Sequence, residues 1–137
     1  MKMKKKTMEE YIEVISLLQG EKEYARTTDI ANEMNIKPSS VTEMLQKLDT
    51  NGFIEYHSYK GARLTKKGKK IANELEMKHR AIEEFLIMLG VDKKNAKEDA
   101  CEIEHHVSDE TIERLLQFVK SLKKKRKNKQ GLGKVGK

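Results

Sequence analysis

Cys101, Glu104 and His105 stand at i, i+3 and i+4 in the run Cys101-Glu102-Ile103-Glu104-His105-His106. On a helix that spacing turns a thiol, a carboxylate and an imidazole to one side. A borderline divalent metal accepts these three donor types together. Taken alone, the run also reads as a polar patch on an amphipathic helix. Two further pairs favour the metal. His79 and Glu83 are four apart, and Glu10 and Glu13 are three apart beside the apolar face of the first expected helix. Helical proteins build metal sites from side chains of facing helices. Spacing alone does not bring the three faces together.

The elements that must carry these residues follow from apolar periodicity and caps. Met8, Tyr11, Ile12, Ile15 and Leu18 repeat at helical spacing and predict a helix over 7–19, stopped by Gly20. A polar link, Glu21 to Arg26, leads to a helix starting at Thr27-Thr28-Asp29. Pro38 suits the first turn of a third helix, where no N–H is needed. Its cap is Lys37 or Ser39, or Ser40 with Glu43 at capping-box spacing. That helix runs to Asn51-Gly52. Strand character in Phe53 to Tyr56 and Arg63 to Thr65, around a turn from His57 to Ala62, predicts a β-hairpin. Thr65 caps a long helix to about residue 89, Asp92 opens the helix with the cysteine run, and Ser108 caps a last one with Asp109 and Glu110 in its first turn. The expected fold is mostly α, an N-terminal winged helix-turn-helix followed by a helical region. The domains expected are 1–70, 71–122 and a disordered basic tail, 123–137.

The charge is unevenly placed. Residues 1–6 hold four lysines and residues 121–137 hold seven lysines and one arginine, without an acid in either stretch. Those twelve positive charges exceed the net +7, so residues 7–120 carry −5. Basic arms suit phosphate contact, or simply a solvated terminus. One cysteine forms no intramolecular disulfide, which fits a reducing compartment. No apolar run has the length of a membrane span or a signal peptide, so a soluble, cytoplasmic protein is expected. No evident nucleophile–base pair or glycine-rich phosphate loop supports an enzyme.

In a winged helix the third helix enters the major groove and the wing touches the backbone. The third helix offers Ser39, Ser40, Thr42, Glu43, Gln46 and Lys47 on its exposed side. Gln46 could address adenine and Lys47 phosphate or guanine, while Ser and Thr suit phosphate. Tyr59, Lys60 and Arg63 sit on or beside the wing tip, with Lys66, Lys67, Lys69 and Lys70 just after it. Double-stranded DNA is the expected partner.

These residues resemble a known family. Met8-Glu9-Glu10-Tyr11-Ile12-Glu13, Pro38-Ser39-Ser40-Val41-Thr42, Leu64-Thr65-Lys66-Lys67-Gly68, Lys78-His79-Arg80 and Ala100 to His106 look like the metal-dependent repressors typified by the diphtheria toxin repressor and the manganese transport regulator. The match runs from about Glu9 to about Leu122. It implies a homodimeric repressor of metal-homeostasis genes that binds a palindromic operator when Fe²⁺ or Mn²⁺ rises. By motif position, Glu10 takes the first-helix ligand slot, and Cys101, Glu104 and His105 take the cluster on the fifth helix. Glu13 and His79 fall where manganese-type members complete a second metal. Glu83 falls where iron-type members place an ancillary ligand.

The ligand set is a hybrid. Cys101 is the iron-type residue where manganese-type members tend to have a carboxylate, and Glu10 stands where iron-type members have methionine. Lys97 lies near where the iron-type ancillary site needs histidine. Thiolate favours iron, cobalt or zinc, and carboxylates suit manganese, so Fe²⁺ is expected ahead of Mn²⁺. Phe85, Leu86, Leu89, Leu116 and Phe118 are expected in the dimer contact. The basic tail is expected in place of the SH3-like third domain of longer members. The competing reading is a metal-independent winged-helix transcription regulator with a structural polar cluster.

Overall fold

The computed structural model describes residues 4–133, and the side chains of residues 4–126. Six helices and one hairpin follow in the order α1 (Lys5–Gln19), α2 (Thr27–Met34), α3 (Pro38–Thr50), β1 (Ile54–His57), β2 (Gly61–Leu64), α4 (Lys66–Met88), α5 (Lys93–His106) and α6 (Asp109–Gly133). Two compact units divide within α4, Met1–Leu75 and Glu76–Lys137. The expected boundary at residue 70 sits inside that helix.

The first unit closes on Tyr11, Ile12 and Ile15 of α1, Ile30 and Ala31 of α2, Val41, Leu45 and Leu48 of α3, and Ile54, Ala62, Leu64 and Ala72. Those positions are the helical and strand stripes of the sequence turned inward. Burial pushes the Tyr11 phenol pKa up, so the ring enters the core neutral. Asn35 ends α2 in the left-handed region (φ 56°), a conformation that Asn tolerates better than most residues. Lys37 caps α3 without a side-chain bond, with Pro38 in the first turn.

β1 and β2 pair antiparallel, Ile54 opposite Leu64 and Glu55 opposite Arg63. The turn is shorter than expected, residues 58–60, because the strands extend to His57 and Gly61. Asp49 of α3 accepts from the Tyr56 N–H at 3.0 Å, and Gln19 of α1 accepts from the Leu64 N–H at 3.1 Å. Ala25 adds a short bridge to Ala62. Thr65 Oγ1 accepts from the Gly68 N–H at 3.2 Å and donates to the Gly52 carbonyl at 2.7 Å. A side chain at Gly68 would meet the Phe53 carbonyl oxygen at 2.1 Å, so only glycine lets α4 start this close to β1.

The second unit is thinner. Ile82, Ala100 and Ile112 form its buried centre, with Leu86, Ile103, Leu115 and Leu116 packed on it. Asp92 caps α5 by accepting from the Lys94 N–H at 3.1 Å, and Ser108 Oγ caps α6 by accepting from the Thr111 N–H at 3.2 Å.

The basic tail is expected to begin at residue 123. α6 runs on to Gly133. Lysine and arginine are good helix formers. Lys123 also pairs with Glu84 of α4. Residues 134–137, and residues 1–3 of the N-terminal arm, lie outside the described residues. Among the described residues no helix is long and apolar enough to cross a membrane.

Candidate metal centre and DNA-reading face

Along α5, Ala96, Ala100 and Glu104 are buried at four-residue intervals. The two alanines let the helix pack closely, and the third position of the same stripe is a carboxylate. Its side chain is 0% exposed. Burying a carboxylate costs several kcal/mol or shifts its protonation unless it is compensated. Groups that could share a cation surround it. His105 Nε2 lies 3.8 Å from Glu104 Oε1, and its imidazole is 2% exposed. His79 of α4 brings Nδ1 to 3.5 Å from the same oxygen. The donor atoms of Cys101, Glu104 and His105 all lie within 4.8 Å of one another. Cys101 is on the exposed side of the cluster.

The i, i+3, i+4 reading of α5 is therefore realised as a convergence of one soft and two harder donors. This donor set fits a divalent transition metal: carboxylate and imidazole suit Mn²⁺ and Fe²⁺, and the thiol tilts toward Fe²⁺ or Zn²⁺. His106 turns elsewhere and pairs with Glu102 at 3.3 Å near solvent.

His79 sits between two carboxylates, because its Nε2 is 3.2 Å from Glu83 Oε1. Glu83, expected as an ancillary ligand, thus has the geometry of an orienting partner for His79. Glu10 and Glu13 lie on α1 of the first unit, both half-buried.

On α3, Ser39, Ser40, Glu43 and Gln46 are exposed and Thr42 and Lys47 half-buried. Thr42 donates its hydroxyl to the Pro38 carbonyl at 3.1 Å, which occupies its proton and leaves its oxygen to accept. In the wing, Tyr59 and Lys60 are exposed. Lys67 donates to the Asn51 carbonyl at 2.9 Å and lies 4.4 Å over the Phe53 ring, while Lys66, Lys69 and Lys70 are exposed.

Arg63 differs from the other expected DNA contacts. Its guanidinium reaches Glu55 at 3.1 Å and Glu23 at 3.3 Å, and lies 5.0 Å over the Tyr24 ring. The hydrogen bond to Glu55, with the neighbouring acids, raises its pKa above the ordinary arginine value. Glu23, Tyr24 and Glu55 thus join the wing site as partners of Arg63. Opposite charges across a hairpin, Glu55 facing Arg63, were the available signal; Glu23, forty residues away, gave none.

Comparison with known proteins bears on both units. Residues 3–62 match the family model described as the iron dependent repressor N-terminal DNA binding domain, and residues 65–131 match the iron dependent repressor metal binding and dimerisation domain. The chain is 45% identical over 113 residues to the HTH-type transcriptional regulator MntR of Lysinibacillus sphaericus, covering 82% of this chain and 81% of that one. It is 47% identical over 109 residues to MntR of Geobacillus thermodenitrificans, covering 80% and 77%. Among solved structures it resembles the manganese regulator SloR, with a TM-score of 0.67 and 35% identity over 82% of this chain; it spans 53% of that chain.

Proposed function

The chain belongs to the iron dependent repressor family by both of its units, and on that premise we propose how its residues make it a metal-responsive transcriptional repressor. That it is a DNA-binding regulator carrying a metal-binding and dimerisation domain, and not an enzyme, follows from the family and from the MntR relatives. The observation that carries the proposal is the convergence on α5 of Cys101, Glu104 and His105 around a buried carboxylate.

In this reading Cys101, Glu104 and His105 hold a divalent cation, Glu10 and Glu13 of α1 complete its ligands, and His79, oriented by Glu83, adds an imidazole. A resident cation would add positive charge beside these acids. Metal then favours the form that binds DNA by its differential affinity for that form. The partner is double-stranded DNA with two-fold symmetry, a palindromic operator read by a homodimer. Ser39, Ser40, Thr42, Gln46 and Lys47 address the major groove, and Tyr59 and Lys60 the backbone. The protein acts in the cytoplasm, where a lone thiol stays reduced.

The expectation of Fe²⁺ ahead of Mn²⁺ is not retained. The solved relative at 35% identity is a manganese regulator, and carboxylates at positions 10 and 13 suit Mn²⁺. We propose Mn²⁺ as the activating ion, with Cys101 leaving Fe²⁺ able to replace it.

The test is an anaerobic titration of Mn²⁺ against the full chain with promoter-derived duplexes. Operator binding should depend on metal and be lost with Glu104→Ala. Equal binding with and without metal would establish the metal-independent alternative.

A further inference from the structure

The link before α2 reads in the sequence as a polar connection, yet it forms a third edge to the wing. Ala25 and Ala62 exchange both backbone hydrogen bonds, at 2.7 and 2.9 Å. Gly61 sits at φ 109°, and a side chain there would meet the Ala25 carbonyl oxygen at 2.1 Å. Only glycine lets the hairpin and the link come this close. Beside that bridge, Arg63 spans the two segments, with Glu55 on the facing strand and Glu23 on the link. Tyr24 of the link lies against the hairpin. Its ring takes the Arg63 guanidinium on its face, meets His57 edge-on at 5.3 Å, and carries the Lys60 ammonium 5.7 Å from its centre.

An arginine engaged by two carboxylates has its fork occupied, and two negative charges beside it oppose a phosphate. Its planar group also stacks on an aromatic face as a lysine ammonium does not. We propose that Arg63 is a positioning residue: with Tyr24 it fastens the wing to the Glu23–Ala25 link, and so presents Lys60, rather than its own guanidinium, to DNA phosphates. The inference rests on the reading that the wing meets duplex DNA, and it replaces the direct grip by Arg63 expected from sequence.

The substitutions Arg63→Lys, Arg63→Ala, Tyr24→Leu and Lys60→Ala are made in the full chain. Binding to a random-sequence duplex is followed by anisotropy over a salt series with Mn²⁺ present. Lys60→Ala should flatten the log–log salt slope by about 0.9, the loss of one phosphate contact. Arg63→Lys, Arg63→Ala and Tyr24→Leu should each weaken binding several-fold and flatten the slope by up to the same amount, since each releases Lys60 from its place. A direct phosphate contact gives a different pattern, in which Arg63→Lys behaves like the wild type and Arg63→Ala flattens the slope by about 0.9; that pattern overturns the proposal.

A second measurement needs no DNA. Amide hydrogen exchange at Ala25 and Ala62 should quicken in Arg63→Lys and in Tyr24→Leu, because both lose the clasp around that bridge. Unchanged protection in either variant overturns the positioning role. If the wild type bound no duplex at all, the functional reading would fail while exchange still decided the clasp.

Discussion

The two units bury different things. The first surrounds a continuous apolar core in which Ile12, Ile15, Ile30, Val41, Leu45 and Leu48 are fully enclosed; Glu9 of α1 is also buried, and Arg63 is balanced by two acids nearer the surface. The second has three buried apolar residues at its centre, encloses the Glu104 carboxylate and the His105 imidazole, and leaves Leu89, Ile87 and Phe118 exposed. A unit with its own core holds its shape without help. A unit with a thin core that encloses a carboxylate and an imidazole is completed by what it binds. The matched family domains place DNA binding in the first unit and metal binding with dimerisation in the second.

The largest expected effect tests the self-sufficiency of the first unit. Leu45→Ala removes a fully enclosed side chain from α3 and should lower stability by about 2–5 kcal/mol. Urea denaturation followed by helical signal measures this. A cost below about 1 kcal/mol would mean that the core repacks freely and that the contrast is overstated.

Next is the dependence of the second unit on metal. Mn²⁺ at a hundred times its dissociation constant should raise the unfolding free energy of the wild type by about 2.7 kcal/mol. Glu104→Gln should lose that increment, with metal affinity down at least the ~10–100-fold seen when outer partners of a site are removed. The metal-free variant should be as stable as the metal-free wild type or more so, since a neutral amide replaces a buried acid. A full metal increment in Glu104→Gln would remove this carboxylate from the ligand set.

Helix placement and caps were legible because they are local. Thr65, Asp92 and Ser108 cap the helices that their positions suggested, and Pro38 opens α3. The one-face cluster on α5 was legible for the same reason: i, i+3 and i+4 fix a shared side whatever the tertiary structure. Relations across elements were not legible. That Glu83 faces His79 is a helical pair and could be read, but that His79 also faces Glu104 depends on how α4 packs on α5. Arg63 looked like a free cation because Glu23 meets it only through folding. The lysine-rich end reads as a tail because composition measures the lack of a core and not the helix propensity of each residue.

A smaller effect concerns the exposed apolar residues of the second unit. Phe118 packs edge-on to Phe85 at 6.0 Å and remains 52% exposed. Phe118→Lys should weaken self-association by at least about tenfold, or ~1.4 kcal/mol, by placing a charge in an apolar contact. Sedimentation over a dilution series measures it. An unchanged dimer constant would place the dimer contact elsewhere on the unit.

The smallest expected effect is that of the basic end of α6, and it tests whether the second unit also touches DNA. Lys124, Lys125 and Arg126 are exposed on the helical extension, while Lys123 is occupied by Glu84. Changing Lys124, Lys125 and Arg126 together to Gln keeps the helix propensity nearly constant, because glutamine is close to lysine and arginine on that scale. It also leaves the Lys123–Glu84 pair in place. If all three meet phosphates, the salt slope for a duplex should flatten by about 2.7, and by about 0.9 for each that does. The extension then adds affinity without sequence preference, since phosphate contacts carry none, so specific and random duplexes should weaken alike. A slope unchanged by the triple substitution means that these charges only keep the helix solvated, and the division of labour between the units is then complete.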